Sequence, residues 1–221
     1  MKLKHVTIFV VLLLLADQIL KIWIKTHMSI GEAIIVFPDW FQLRFIENNG
    51  AAFGMQISQS GAFDWGKLSL SIFRVVMISA LGYYIVKLAR QGAHRWVMIP
   101  FAMIFAGAIG NMIDSIFYGM IFSESTVNSV AHFGGSYAAP LMGKVVDMFY
   151  FPLFQWNGVP DSLRFLVDYD NYFFGAIFNL ADSYISVGVV LFLLFGHSHF
   201  EKMEKERKEA TQVTEAQNEE E

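Results

Sequence analysis

Four apolar stretches, at 6–24, 68–86, 96–118 and 175–195, constrain this chain more than any other feature. Each comes to about 20 residues, the length an α-helix needs to cross the hydrocarbon core of a bilayer. A soluble domain of 221 residues with 55% hydrophobic side chains and a mean hydropathy of +0.44 could not bury so much apolar surface. Four transmembrane helices are therefore predicted. The first stretch, behind Lys2 and Lys4, has the outline of a secretory leader. It runs into Ala16-Asp17-Gln18 and Lys21 with no small-x-small cleavage site, and is read as a retained helix.

Lysine and arginine in the short flanks set the expected orientation. Lys2 and Lys4, then Lys87, Arg90 and Arg95, then Lys202, Lys205, Arg207 and Lys208 mark three cytoplasmic segments. Segments 25–67 and 119–174 hold only Lys25, Arg44, Lys67, Lys144 and Arg164, and are expected outside. Both termini are then cytoplasmic. The absence of cysteine excludes disulfides and thiolate chemistry. The net charge of −4 includes an acidic tail, and no nucleic-acid partner is expected.

Phe41, Leu43 and Phe45 alternate with Gln42 and Arg44, a period of two that predicts a short half-buried strand before an Asn48-Asn49-Gly50 turn. Met55 to Gly66 mixes aromatic and polar residues as a segment lying in the membrane interface would. The second outer segment, rich in Gly, Ser, Tyr and Phe, reads as irregular structure on the membrane surface. Residues 1–200 form one membrane-embedded unit, and 201–221 a charged cytoplasmic tail, expected as a helical extension fraying into disorder.

Polar side chains inside spanning helices are costly, so they mark functional interiors. Asp17 and Lys21, four apart, share a helix face and can pair, either as a structural brace or as part of a site. Asn111 and Asp114 near the end of the third helix echo Asn179 and Asp182 near the start of the fourth. With the helices antiparallel, both Asn-x-x-Asp faces and Asp17 reach one depth near the outer surface. Asp147 is a lone acid among Val145, Val146, Met148 and Phe149. Two carboxylates in one desolvated site share a proton, leaving one acid and one base able to drive water into an amide. From position alone, either Asp114 or Asp147 could partner Asp182. Histidines 197 and 199 read as interfacial anchors rather than metal ligands, small residues at 106, 107 and 110 as a helix-packing seam, and Arg74 has no partner evident in sequence.

Five blocks occur in one order: Ala16-Asp17-Gln18 with Lys21, Glu47 to Phe53, Gly107 to Asp114, Val145-Val146-Asp147-Met148 and Phe178 to Ser183. Together they resemble lipoprotein signal peptidase, the signal peptidase II family, from the first helix to the fourth. The resemblance implies an all-α membrane fold: a four-helix transmembrane bundle with a small extracytoplasmic β-cradle and an interfacial helix. It implies a bacterial inner-membrane aspartyl endopeptidase without metal or cofactor, cleaving a lipidated prolipoprotein just before its diacylglyceryl cysteine, beside membrane phospholipid. By position the resemblance makes Asp147 and Asp182 the catalytic dyad. Asn111, Asp114, Asn179 and Ala181 support it, Asn48 and Gly50 hold substrate, and Asp17 and Lys21 brace the first helix. Two departures stand out. Ser115 occupies the place of a family Arg, and 33 positions from Asp114 to Asp147 and 35 from Asp147 to Asp182 imply outer insertions at about 119–142 and 151–174, expected to cover the site or touch lipid. The alternatives are a proton- or ion-coupled transporter, which also uses intramembrane acids, and a non-catalytic assembly factor that binds lipidated peptides.

Overall fold

The structure is a computed structural model, and it describes residues 1–38, 40–49, 64–167 and 170–219. Among the described residues six α-helices and three strands follow one another. They are α1 Leu3–His27, β1 Ala33–Phe37, β2 Phe41–Asn48, α2 Trp65–Arg90, α3 Arg95–Ile113, α4 Gly119–Ile121, β3 Val145–Tyr150, α5 Leu180–Leu191 and α6 His197–Glu219. A π-helical turn at Asp114–Tyr118 joins α3 to α4, and another at Phe192–Gly196 joins α5 to α6. Among the described residues four continuous helical stretches are long and apolar enough to cross a membrane: Leu3–His27, Trp65–Arg90, Arg95–Ile121 and Leu180–Glu209.

The helix boundaries have local causes. α3 begins where the His94 imidazole accepts the Trp96 N–H, after a turn in which Gly92 adopts φ +73°. α5 begins at Leu180, later than the apolar stretch from 175 suggested, because Asn179 and Asp182 form a reciprocal capping box there. The preceding Phe178 is instead tied to Phe149 by a β-bridge. The helical extension expected at the start of the tail is present, as α6.

α3 is the central helix, packed against α5, α1 and α2, and its span is the most buried of the four. Small residues let α5 and α1 come close. A Cβ at Gly107 would stand 2.3 Å from the Ala181 carbonyl, and one at Gly110 would stand 2.6 Å from Asp17 Oδ2. With lipid outside as apolar as the side chains themselves, such close approach and hydrogen bonding hold helices together. The bundle's outer girdle is accordingly apolar, with Ile8, Leu12, Ile19, Phe73, Val76, Leu193 and Leu194 exposed.

Two cores result. One, around Val10, Leu88, Val97 and Ala102, lies near the α2–α3 turn. The other joins Ile24 of α1 and Met28 just after it to Phe45, Val146 and Met148 of the sheet and to Tyr118 and Phe122. The sheet is antiparallel, ordered β1-β2-β3, with Ile46 opposite Asp147 and Asn48 opposite Val145. β2 matches the alternation read at 41–45, whereas β3 forms where irregular structure was expected. Its face is buried throughout save Phe149, so its sequence is a nearly continuous apolar run without alternation. The interfacial segment expected over 55–66 lies outside the described residues up to Phe63, and Trp65 and Gly66 begin α2.

Candidate active site

The site grows from the α5 N-terminus. An N-cap side chain must accept a backbone N–H of the first turn, and Asn179 does so from Asp182 N at 3.0 Å. That fixes the Asn179 amide, whose Nδ2 is left to donate to Asp147 Oδ1 at 2.6 Å and to Asn111 Oδ1 at 3.0 Å. In return the Asn179 backbone N–H donates to Asp182 Oδ2 at 3.2 Å. One residue therefore holds both carboxylates, Asp147 through its side chain and Asp182 through its backbone. Asn111 Nδ2 completes the ring by donating to Asp182 Oδ1 at 2.7 Å.

Asp147 arrives from β3 with 1% of its surface exposed, and Asn48 at the end of β2 donates to its Oδ2 at 2.6 Å. Burial pushes the Asp147 carboxyl up to about 7, and the neighbouring Asp182 charge adds to the rise. The hydrogen bonds from Asn48 and Asn179 pull the other way, because they favour the ionised form. Asp182 is half-buried and sits where backbone N–H groups and the helix dipole favour a negative charge. Arg74 of α2, without a partner in the sequence reading, interacts electrostatically with Asp182.

Beneath this pair lies a buried polar layer. Lys21 Nζ is 2.9 Å from Asp114 Oδ2 and 3.2 Å from Asp17 Oδ2, and donates to Asn111 Oδ1 at 2.8 Å. Asp17 Oδ1 accepts the Ala181 N–H at 3.0 Å, and Asp114 Oδ2 accepts the Val146 N–H at 3.2 Å. Asp114 thus points into the brace under the site, not toward Asp182. The ammonium is satisfied by three oxygens, and its single charge is shared between two acids that also accept N–H donors from Gln18, Val146 and Ala181 in a nearly dry interior.

Asp17, Lys21, Asn48, Asn111, Asp114, Asp147, Asn179, Ala181 and Asp182 all come together, while Gly50 lies outside the described residues. Sequence reasoning gave no role to Gln18, although it stands beside Asp17. Its amide donates to Asp17 Oδ2 at 3.0 Å and Asp114 Oδ1 at 3.1 Å, and its Oε1 accepts from Tyr118 at 3.1 Å. It also missed the buried Lys25–Glu47 ion pair, joined by Ser125 Oγ at 3.0 Å from Lys25 and 3.1 Å from Glu47. Ser125 brings the first insertion against the residue preceding Asn48. Ser115 is buried and donates to the Asn111 carbonyl at 3.2 Å. Its own carbonyl accepts the Gly143 N–H at 2.9 Å, so the insertion's return packs on this turn. Among the described residues no group of three His, Cys, Asp or Glu side chains is placed to hold a metal ion.

The model of the family described as Signal peptidase (SPase) II matches residues 9–197. A lipoprotein signal peptidase of Porphyromonas gingivalis is 45% identical over 195 residues, covering 86% of this chain and 82% of its own length. One from Amoebophilus asiaticus is 34% identical over 210 residues, covering 91% and 80%. A solved bacterial membrane enzyme, 24% identical, covers 87% of both chains with a TM-score of 0.57 and shares the fold. The transporter alternative finds no support in these relatives. A family model spanning the bundle and the sheet, and relatives this similar over most of their length, make this chain a bacterial membrane protein of the signal peptidase II family.

Proposed function

We propose that Asp147 and Asp182 are the catalytic dyad with which this signal peptidase II cleaves the signal peptide of a prolipoprotein, just before a diacylglyceryl-modified cysteine. The observation that carries the reading is Asn179, which holds both carboxylates at once inside a chain of this family. Asp182 acts as the base and Asp147 as the acid, in keeping with the helix N-terminus beneath one and the burial of the other.

The chemistry follows from one shared proton. Asp182 takes a proton from water as its oxygen bonds to the scissile carbonyl carbon, and Asp147 gives its proton to the carbonyl oxygen. The tetrahedral diol then collapses: the C–N bond breaks, the proton on Asp182 passes to the leaving nitrogen, and one hydroxyl proton returns to Asp147. The products are a signal peptide with a new carboxylate and a lipoprotein with a free amine on its cysteine. No metal or cofactor takes part. Asn48 keeps Asp147 oriented, and Asn111 does the same for Asp182. The layer of Asp17, Lys21, Asp114 and Ala181 fixes α1, α3 and α5 relative to one another. Gly50, two positions beyond Asn48 in the sequence, is assigned with it to holding the substrate.

The site lies at the outer face of the inner membrane, with both termini in the cytoplasm, as the distribution of Lys and Arg supports. Asp147→Asn and Asp182→Asn each abolish processing of a diacylglyceryl-modified substrate by the purified enzyme in micelles, with the thermal unfolding transition retained. Near-normal turnover in either variant removes that residue from the dyad.

A further inference from the structure

One turn beyond Lys21 on α1, Lys25 is fully buried. Its Nζ donates to Glu47 Oε1 and, at 3.0 Å, to Ser125 Oγ, and the Ser125 hydroxyl donates in turn to Glu47 Oε1 at 3.1 Å. The rings of Tyr137 and Phe122 stand 5.0 and 5.5 Å from the same ammonium. Lys144 Nζ lies 3.8 Å from the other Glu47 oxygen. α1, β2 and the first insertion therefore meet at one ion pair, whose side chains are 0% and 1% exposed. A pair taken so far out of water regains little net stability, because the cost of desolvating both ions offsets their attraction. What it supplies is a fixed geometry, since neither partner can move away without leaving the other buried and unpaired.

That geometry belongs to the end of β2. Successive strand residues point to opposite faces, and the ladder sets Ile46 against Asp147, Glu47 against Val146 and Asn48 against Val145. Glu47 therefore faces α1 and the insertion, on the side of Phe45 and Val146 in the second core. Asn48 faces the other way, into the site, and reaches diagonally to Asp147 Oδ2 at 2.6 Å. Asn48 is also the last residue of the strand. Its pairing with Val145 ends the ladder, where a strand frays most readily, and the ion pair anchors the residue immediately before it. The insertion holds the other side of this corner as well. Its Thr126 carbonyl accepts the Ile30 N–H at 3.0 Å, and the next residue, Gly31, donates to the Phe45 carbonyl at 2.8 Å.

We propose that Lys25 and Glu47 are positioning residues for the active-site acid: they clamp the end of β2 from its far face and so hold the Asn48 amide against Asp147, with the first insertion closing the clamp through Ser125. The inference rests on the reading of Asp147 as that acid. Both side chains are buried, so the clamp works through Asn48 and not by contact with substrate. Its loss acts on Asp147 as loss of the Asn48 hydrogen bond does, weakening a contact that favours the ionised carboxylate. Asp182, Asn179 and Lys21, the other groups that act on Asp147, stay in place.

The test is a mutant cycle on the full-length enzyme in micelles, with a diacylglyceryl-modified prolipopeptide as substrate. Lys25→Met/Glu47→Met removes both charges together, a replacement that buried pairs tolerate, so thermal unfolding close to that of the wild type is expected. Its kcat is expected to fall about tenfold or more, as when a group at the site is slightly misplaced. KM should hold, and the alkaline limb of kcat/KM should move to higher pH, as for Asn48→Ala. In an Asn48→Ala background the same replacement is expected to change neither kcat nor the limb further, because residues acting through one contact are not additive. Equal losses of kcat in the two backgrounds overturn the proposal, as does a wild-type kcat and pH profile in Lys25→Met/Glu47→Met. A loss confined to KM overturns it too, by making the pair part of substrate binding. Ser125→Ala keeps both charges and loses only the bridging hydroxyl, and it carries the test where the paired replacement fails to fold. A smaller fall in kcat is expected there, again absent in the Asn48→Ala background, and wild-type turnover and profile overturn the proposal. Asp147→Asn is assayed alongside. Near-normal turnover in that variant removes the acid and this proposal with it, whereas an inactive Asp147→Asn with additive losses sinks the clamp alone.

Discussion

Asp147 carries the most informative titration in the molecule. Its folded-state carboxyl is raised to about 7, so the folded protein holds that proton more tightly than the unfolded chain does. The associated stability is present at low pH and lost as pH rises through about 7. Asp147→Asn should therefore unfold at a higher temperature than the wild type at pH 8, the difference shrinking steadily as pH falls to the ordinary carboxylate range, while remaining inactive throughout. Because the acid must be protonated, kcat/KM should fall on the alkaline side through the same region. Asn48→Ala removes a donor that favours the ionised form, and should move that limb to higher pH. Asp114 separates from Asp147 by the opposite pattern. Asp114→Asn takes one of two counter-charges from Lys21, which keeps Asp17, and weakens the acceptor for Gln18 and the Val146 N–H, to be seen as a fall in Tm in micelles. The acids were legible in the sequence as charges in apolar surroundings, but their pairing was not. Nothing in the spacing decides whether Asp114 or Asp147 meets Asp182, because that depends on which way the π-helical turn after α3 and strand β3 carry them.

Elements set how accurately the site is held. The start of α5 is both a helix cap and the clamp on two carboxylates, so Asn179→Ala should cost about 0.5–2 kcal/mol of stability for the lost cap and a far larger share of turnover. A helix-capping role alone predicts that Asn179→Ser restores turnover along with Tm relative to Asn179→Ala. The dyad role predicts that Tm recovers and turnover does not. At the α1–α3–α5 seam, Gly110→Val places a Cβ 2.6 Å from Asp17 Oδ2 and should exceed the usual overpacking penalty of about 1–3 kcal/mol, read by thermal unfolding. Helices declared themselves through the length of apolar runs, and β2 through its alternation. β3 did not, since a strand buried on both faces has no period to read. Gln18 escaped notice for a related reason: an uncharged amide in an apolar helix is unremarkable until its partners Asp17, Asp114 and Tyr118 converge around it.

For the whole molecule, sidedness is the property that most needs measuring, and the cysteine-free chain makes it simple. Ser162→Cys, in the outer segment, should react with a membrane-impermeant thiol reagent in intact cells, and Gln91→Cys, in the α2–α3 turn, only after permeabilisation. The reverse pattern would put the site on the cytoplasmic face. The order in which the chain is made adds a consequence of the Ala181–Asp17 hydrogen bond, which ties the first helix to the last across 164 positions. A ribosome that has produced everything up to β3 has made one acid of the pair but not Asn179, which orients it, nor the other acid. On the proposed dyad, newly threaded protease should be inert until the segment carrying α5 inserts. By the same logic, a fragment ending before residue 175 and a separate peptide carrying α5 and α6 should each be silent alone and regain cleavage when co-inserted.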